Sequence, residues 1–543
     1  MTSFTAVVAG DTTITARGAV RESAERVLGR LWIDEVPVRL ASEDPALFPS
    51  ATAADQEGRT LCWPGQPGPA RSVLPRLARL RGQARSAGLR EVALLGRGAP
   101  ARAAALIARD AMAGPVTVLD SAEPGPLVRL GADRERLRRT IVVVTGDDAG
   151  TETLRRVFVR MFQDLDLSPG EVAARFVTVS DPGSMPARRA AEEGRPVVEA
   201  PARTVFGALS PYSLVPAAMA GVDVGKLLDK AAAALPSLTR PENNPGLVLG
   251  AILGGAVRSG RGTVVLGAYP AAVPGLADWI STLLVQASGG RLLPLVQHGG
   301  LPVQPADDVF LVTLDGRPQQ DDATVSAPLP AQLVVWEYAA AVAAHLLGAD
   351  PLRPDPFHLG PPRIGAASPD LTGAEDASGP AVLTEGEPGR AVEVHTGDPD
   401  LARATDLPGV LAAVAEAAAD DGHLAIVAHL DPDRTRGQGT QVGRLAALLA
   451  ARCARPVTIN WGCRYPAIGN DRRERGVYLM LTGNVVHDVP VPDRHYRLSR
   501  LQIAQALGEA RAARTGGRPV VRLHLQNRRA GLARLLESAR GEA

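Results

Sequence analysis

Thr140-Ile141-Val142-Val143-Val144-Thr145-Gly146-Asp147-Asp148-Ala149-Gly150-Thr151-Glu152-Thr153-Leu154 passes from a continuous β-branched run, through a loop of small and hydroxyl residues, into a helical pattern. An unbroken apolar run is what a strand buried on both faces requires, as in a parallel sheet covered by helices. The same grammar recurs along the chain. Strands are expected at Glu91–Leu95, Val116–Leu119, Thr140–Val144, Phe176–Val179, Thr263–Leu266, Val309–Leu314, Leu424–Ala428, Val457–Asn460, Val477–Leu481 and Val520–Leu525. Helical stretches such as Ala101–Ala113 and Gly409–Ala419 lie between most of them. Strand, helix, strand repetition implies an α/β fold built on an open, doubly wound parallel sheet used more than once.

The 543 residues are 45% apolar and 22% charged, the balance of a globular chain of about three or four folding units. No apolar run approaches the roughly 20 residues of a membrane span. Met1-Thr2-Ser3-Phe4-Thr5 opens no positive-then-apolar leader, so a cytoplasmic protein is expected. With 59 basic and 58 acidic side chains dispersed along the chain, neither a nucleic-acid nor a membrane field is indicated. Only Lys226 and Lys230 are lysines, so lysine chemistry has two candidates on one expected helix. Cys62, Cys453 and Cys463 lack paired spacing, and the nine histidines, from His298 to His524, form no His-Glu-x-x-His pattern. No disulfide framework, metal site or cofactor is expected.

Two segments read as linkers: 44–70, and the Pro/Gly-rich 353–389. No repeat with a period of 20–50 residues is present, which excludes a solenoid.

Ligands of open α/β sheets bind where strand carboxyl ends meet helix N-termini, and the loop Thr145–Thr151 stands at such a place. Its small and hydroxyl residues suit a phosphate cradle; its adjacent aspartates do not. The blocks that identify the chain lie elsewhere. Ala208-Leu209-Ser210-Pro211-Tyr212-Ser213-Leu214-Val215-Pro216, Asn244-Pro245-Gly246-Leu247, Asp278-Trp279-Ile280, Trp336-Glu337-Tyr338-Ala339, Trp461-Gly462-Cys463-Arg464-Tyr465, Leu481-Thr482-Gly483 and Arg518-Pro519-Val520 occur in family order from about residue 90 onward. Together they resemble glucose-6-phosphate isomerases of the bacterial type found fused to, or alongside, transaldolase. The resemblance implies two sugar-isomerase (SIS) domains, each a doubly wound parallel sheet. It divides the chain into an N-terminal SIS-like domain (1–240, loop-rich at 44–70), the first part of a second (241–352), an excursion (353–400) and a C-terminal part completing the second (401–543).

Aldose–ketose isomerisation needs a carboxylate base, a ring-opening acid/base, a cation for the enediolate and a phosphate loop. The resemblance assigns these to a glutamate, a histidine, an arginine and a Ser-Ser-Lys-Ser-Gly-Thr-Thr loop. Here the corresponding positions hold Gln286, Ala467, Val205 and Thr145-Gly146-Asp147-Asp148-Ala149-Gly150-Thr151. An amide cannot accept a proton at neutral pH. Thr145 and Thr151 remain as donors, and Arg203 lies two residues before the missing arginine. The glycine loop after the first strand reads Gly96-Arg97-Gly98-Ala99-Pro100, keeping its turn but not the family serine. Ligand-binding candidates are therefore Gly96, Gly98, Thr145, Gly146, Asp147, Asp148, Thr151, Arg203 and Gln286.

Residues that build the scaffold match, whereas those that move protons or bind phosphate do not. The reading is an inactive or impaired isomerase homologue in glycolysis, gluconeogenesis or neighbouring carbohydrate metabolism. It would bind a sugar, a sugar phosphate or a metabolic enzyme partner; the resemblance adds a homodimer. The alternatives are an active isomerase with relocated groups, and a purely structural subunit.

Overall fold

The computed structural model describes residues 6–49, 67–201, 203–268, 273–296, 306–315, 322–352, 380–462, 476–515 and 517–541. Each of the ten expected strands is present, several longer by a residue or two. They are distributed over three sheets.

The first sheet is wholly parallel, in the order Val116–Leu119, Glu91–Leu95, Thr140–Val144, Phe176–Ser180, Val197–Glu199. Every residue of Thr140–Val144 is buried, as its unbroken apolar run requires of a central strand. Helix Gly98–Asp110 covers one face and helix Ala149–Gln163 the other; their inward side chains fall into two separate apolar clusters. The chain therefore leaves Leu95 and Val144 toward opposite faces, and a crevice opens between these neighbouring strands.

The second sheet has four parallel strands, Ala323–Ser326, Val309–Leu314, Thr263–Ala268 and Leu293–Val296. An antiparallel hairpin, Ala6–Ala9 and Thr12–Ala16, completes it by pairing onto Ala323–Ser326. The N-terminal strands thus belong with residues 263–326 rather than with 91–199. Thr12, Ile14 and Ala16 point inward in alternation, and the hairpin caps what would otherwise be an open sheet edge.

Residues 383–525 form a third sheet of their own, where the sequence division had them complete the second domain. Its parallel strands are Val520–Leu525, Val477–Gly483, Leu424–Ala428 and Val457–Trp461, flanked by the antiparallel pair Leu383–Glu385 and Val392–Thr396. Its apolar residues pack on its own helices, Leu407–Asp421, Gly439–Cys453 and Arg528–Arg540 on one face and Leu498–Thr515 on the other. That separate core makes it a folding unit.

Two helices join the first and second sheets into one core. Pro245–Arg258 carries Gly246, Gly250 and Gly254 on one stripe, facing Tyr338, Val342 and Leu346 of Leu329–Leu347. A Cβ on Gly250 would lie 2.4 Å from the Val342 Cβ and 2.8 Å from the Ala339 carbonyl oxygen, so the backbones meet closer than any side chain allows. Among the described residues no helix is long and apolar enough to cross a membrane.

Candidate functional site

The carboxyl edge of the first sheet gathers the candidates. Gly96 ends the first strand so close to Thr145 that a Cβ there would fall 1.9 Å from the threonine Oγ1. The Thr145 hydroxyl donates to the Leu95 carbonyl at 3.3 Å, beside the Thr145 N–H donating to the same oxygen at 2.9 Å. The two loops are tied together, and that hydroxyl is turned onto the chain itself.

Asp148 occupies the N-cap of helix Ala149–Gln163. Its Oδ1 accepts from the Gly150 N–H at 2.8 Å and the Thr151 N–H at 3.1 Å, while its Oδ2 accepts from the Thr151 hydroxyl at 2.8 Å. Arg97 adds an ion pair at 2.5 Å. Burial would raise the carboxyl pKa. The Arg97 charge and the Thr151 hydrogen bonds outweigh it and hold the group at about 2. The donors expected to cradle a phosphate are engaged by a carboxylate of the protein.

Asp147 points outward instead. Arg203 approaches it at 3.5 Å and donates to the Thr145 carbonyl at 3.3 Å. An arginine therefore does reach this loop, from two residues before Val205. Val205 is buried in the apolar core and offers nothing to a ligand.

Gln286, on helix Leu276–Ser288, stands beside Gly98 and accepts from the Ala99 N–H at 3.2 Å. It thus serves an N-terminal N–H of helix Gly98–Asp110, as caps do. The turn after Val205 is held from below by Glu337, whose Oε1 accepts from the Gly207 and Ala208 N–H groups at 2.8 Å each. Burial pushes the Glu337 carboxyl up to about 8 against the lowering effect of those two bonds. On the helix that follows, the Tyr212 hydroxyl donates to Asp181 at 2.6 Å; burial and that carboxylate raise the phenol pKa.

Gly96, Gly98, Thr145, Gly146, Asp147, Asp148, Thr151, Arg203 and Gln286 thus share one sheet edge, whereas Ala467 lies outside the described residues. Sequence reasoning passed over two members. Arg97 stood inside the quoted glycine loop and Glu337 inside a matched block, neither with a role. The charge pattern held a signal for the first: Arg97 follows one strand of the crevice and Asp148 its neighbour.

No family model matches the chain, and no curated protein matches it in sequence. Among solved structures it is similar to a glucose-6-phosphate isomerase from Chlamydia trachomatis, at 14% identity over 66% of this chain and 88% of that one, with a TM-score of 0.54. It is also similar to a hypothetical protein from Thermus thermophilus, at 18% identity over 64% of this chain and 97% of that one, with a TM-score of 0.51. At such identities the likeness is one of architecture. The chain has the α/β fold of a glucose-6-phosphate isomerase.

Proposed function

We propose that the protein is an isomerase-like scaffold that does not interconvert glucose 6-phosphate and fructose 6-phosphate, and instead binds a sugar or a partner protein in carbohydrate metabolism. The observation that carries this reading is Asp148. Its carboxylate takes up two helix N–H groups, a threonine hydroxyl and an arginine. A phosphate brought there would meet a like charge within a few ångströms, at a cost of about 1–4 kcal/mol. Gln286 supports the same reading, since its amide acts as a helix cap where a proton-accepting carboxylate is required.

A coupled assay for glucose 6-phosphate to fructose 6-phosphate conversion tests this. No turnover above background is expected. A kcat within a hundredfold of an ordinary enzyme, itself about 10 s⁻¹, would overturn it. The second reading, an active isomerase with relocated groups, draws on Arg203, which contacts the loop from a new position. In that case activity is present and is lost on Arg203→Ala.

A further inference from the structure

The near-neutral charge of the whole chain conceals a polarity. Residues 434–543 hold 20 arginines against 7 aspartates and glutamates, a net charge of +13. Residues 1–433 hold 39 basic and 51 acidic side chains, a net charge of −12. The two parts cancel in the total, and a division of that size within one chain points to a charged partner.

Some of these arginines have partners within the fold. Arg455 pairs with Asp308 at 2.9 Å, Arg528 with Glu123 at 3.0 Å and Arg534 with Glu385 at 3.5 Å. Five others stand apart. Arg436, Arg444, Arg452, Arg529 and Arg540 are exposed, and no hydrogen bond or ion pair to a described residue holds their side chains. They belong to one region. Arg444 and Arg452 lie on helix Gly439–Cys453, Arg436 in the loop leading into it, and Arg529 and Arg540 on helix Arg528–Arg540. The two helices pack on each other and bury their leucines on the same face of the third sheet, which leaves the arginines outward. Arg529, Ala533, Glu537 and Arg540 form one exposed stripe at helical spacing. Glu537 is the one acidic residue of the two helices. The third helix of this face, Leu407–Asp421, has no basic residue and exposes Glu416, so the basic surface belongs to the other two.

We infer that this face docks an acidic segment of a partner protein, a short run of aspartates and glutamates. Each unengaged guanidinium offers a planar fork of donors that fits a carboxylate two bonds at a time. From Arg529 to Arg540 the helix rises about 17 Å at 1.5 Å per residue, a length that an extended segment of about five residues spans. Nucleic acid suits the face less well. Neither helix carries an aromatic residue on which a base could stack. A strand of phosphates running past the face would also meet the negative charge of residues 1–433. The inference rests on the partner-protein arm of the proposed function and not on the absence of turnover.

The full chain is titrated by fluorescence anisotropy with labelled oligoglutamate, oligolysine and single-stranded oligodeoxythymidine of matched charge. Saturable binding of oligoglutamate, tighter than that of the DNA, is expected, with none of oligolysine. Raising salt from about 0.1 M to about 1 M, which shortens the screening length from about 10 to about 3 Å, should weaken it at least tenfold. The double variants Arg444→Ala with Arg452→Ala and Arg529→Ala with Arg540→Ala should each weaken it by about 4–25-fold, at 2–5-fold for each exposed ion pair lost. Arg79→Ala with Arg90→Ala removes as much charge from residues that are likewise exposed and unengaged, but in the first unit, and should leave binding unchanged. The inference is overturned if oligoglutamate does not bind, if the DNA binds tighter, or if the Arg79 and Arg90 pair weakens binding as much as the others. Isomerase turnover would overturn the proposed function and leave this face as it is.

Discussion

The guanidinium of Arg97 and the carboxylate of Asp148 meet at 2.5 Å across the crevice of the first sheet, one from the loop after Leu95 and the other from the loop after Val144. Asp148→Ala removes the cap of helix Ala149–Gln163 and the ion pair with Arg97. A loss of about 1–3 kcal/mol in urea unfolding is expected. The native carboxyl titrates at about 2 against an ordinary 3.8, so its contribution is complete above about pH 4 and fades as pH falls through about 2. Asp148→Asn should therefore flatten the acid limb of the stability curve between those values.

Glu337 behaves in the opposite sense. Its native pKa of about 8 lies above the ordinary 4.5, so its stabilising contribution is complete below about pH 4.5 and is lost as pH rises through 8. Between about pH 5 and 8 stability should decline by up to roughly 1.4 kcal/mol per pH unit from this group. Glu337→Gln, which still accepts from Gly207 and Ala208, should remove that slope in denaturation series across this range.

Gln286→Glu places a carboxylate where the resemblance implies the base of an isomerase, yet no activity is expected in the coupled assay. The new group would sit at the N-terminus of helix Gly98–Asp110, which favours its ionised form and makes it a weaker base. Val205 would still supply no cation. Measurable turnover in this single variant would show that the base alone was missing.

Gly250→Val places two methyl groups where even a Cβ meets Val342 at 2.4 Å and the Ala339 backbone oxygen at 2.8 Å. Backbone cannot yield as a flexible side chain can. A loss of about 3 kcal/mol or more is expected, read as a lower urea midpoint at unchanged m-value. Substitution at Gly170, which has open space around it, should cost far less.

Strands buried on both faces were legible because their apolar runs admit few other readings; Thr140–Val144 and Leu424–Ala428 have the expected bounds. Three short edge strands were not, although Val116–Leu119, also at an edge, was. Ala6–Ala9 and Leu383–Glu385 carry too few residues for a period to stand out, and Leu293–Val296 contains Pro294, which argues against a strand. The site was legible as a set of positions on one sheet edge. What the sequence could not show was the use made of the replacements. That Asp148 turns inward to cap its helix while Asp147 turns outward depends on backbone angles and on Arg97, fifty-one residues earlier.

The hairpin on the second sheet also sets an order of assembly. Thr15 and Thr324 share a hydrogen bond although 309 residues separate them, so strand Thr12–Ala16 must wait through most of translation for its partner. The first sheet draws all its strands from residues 91–199 and can close much earlier, since contacts near in sequence form first. On the ribosome the N-terminal strands are therefore the first made and among the last docked. Until Ala323–Ser326 emerges they are bare β-segments that a neighbouring nascent chain could capture.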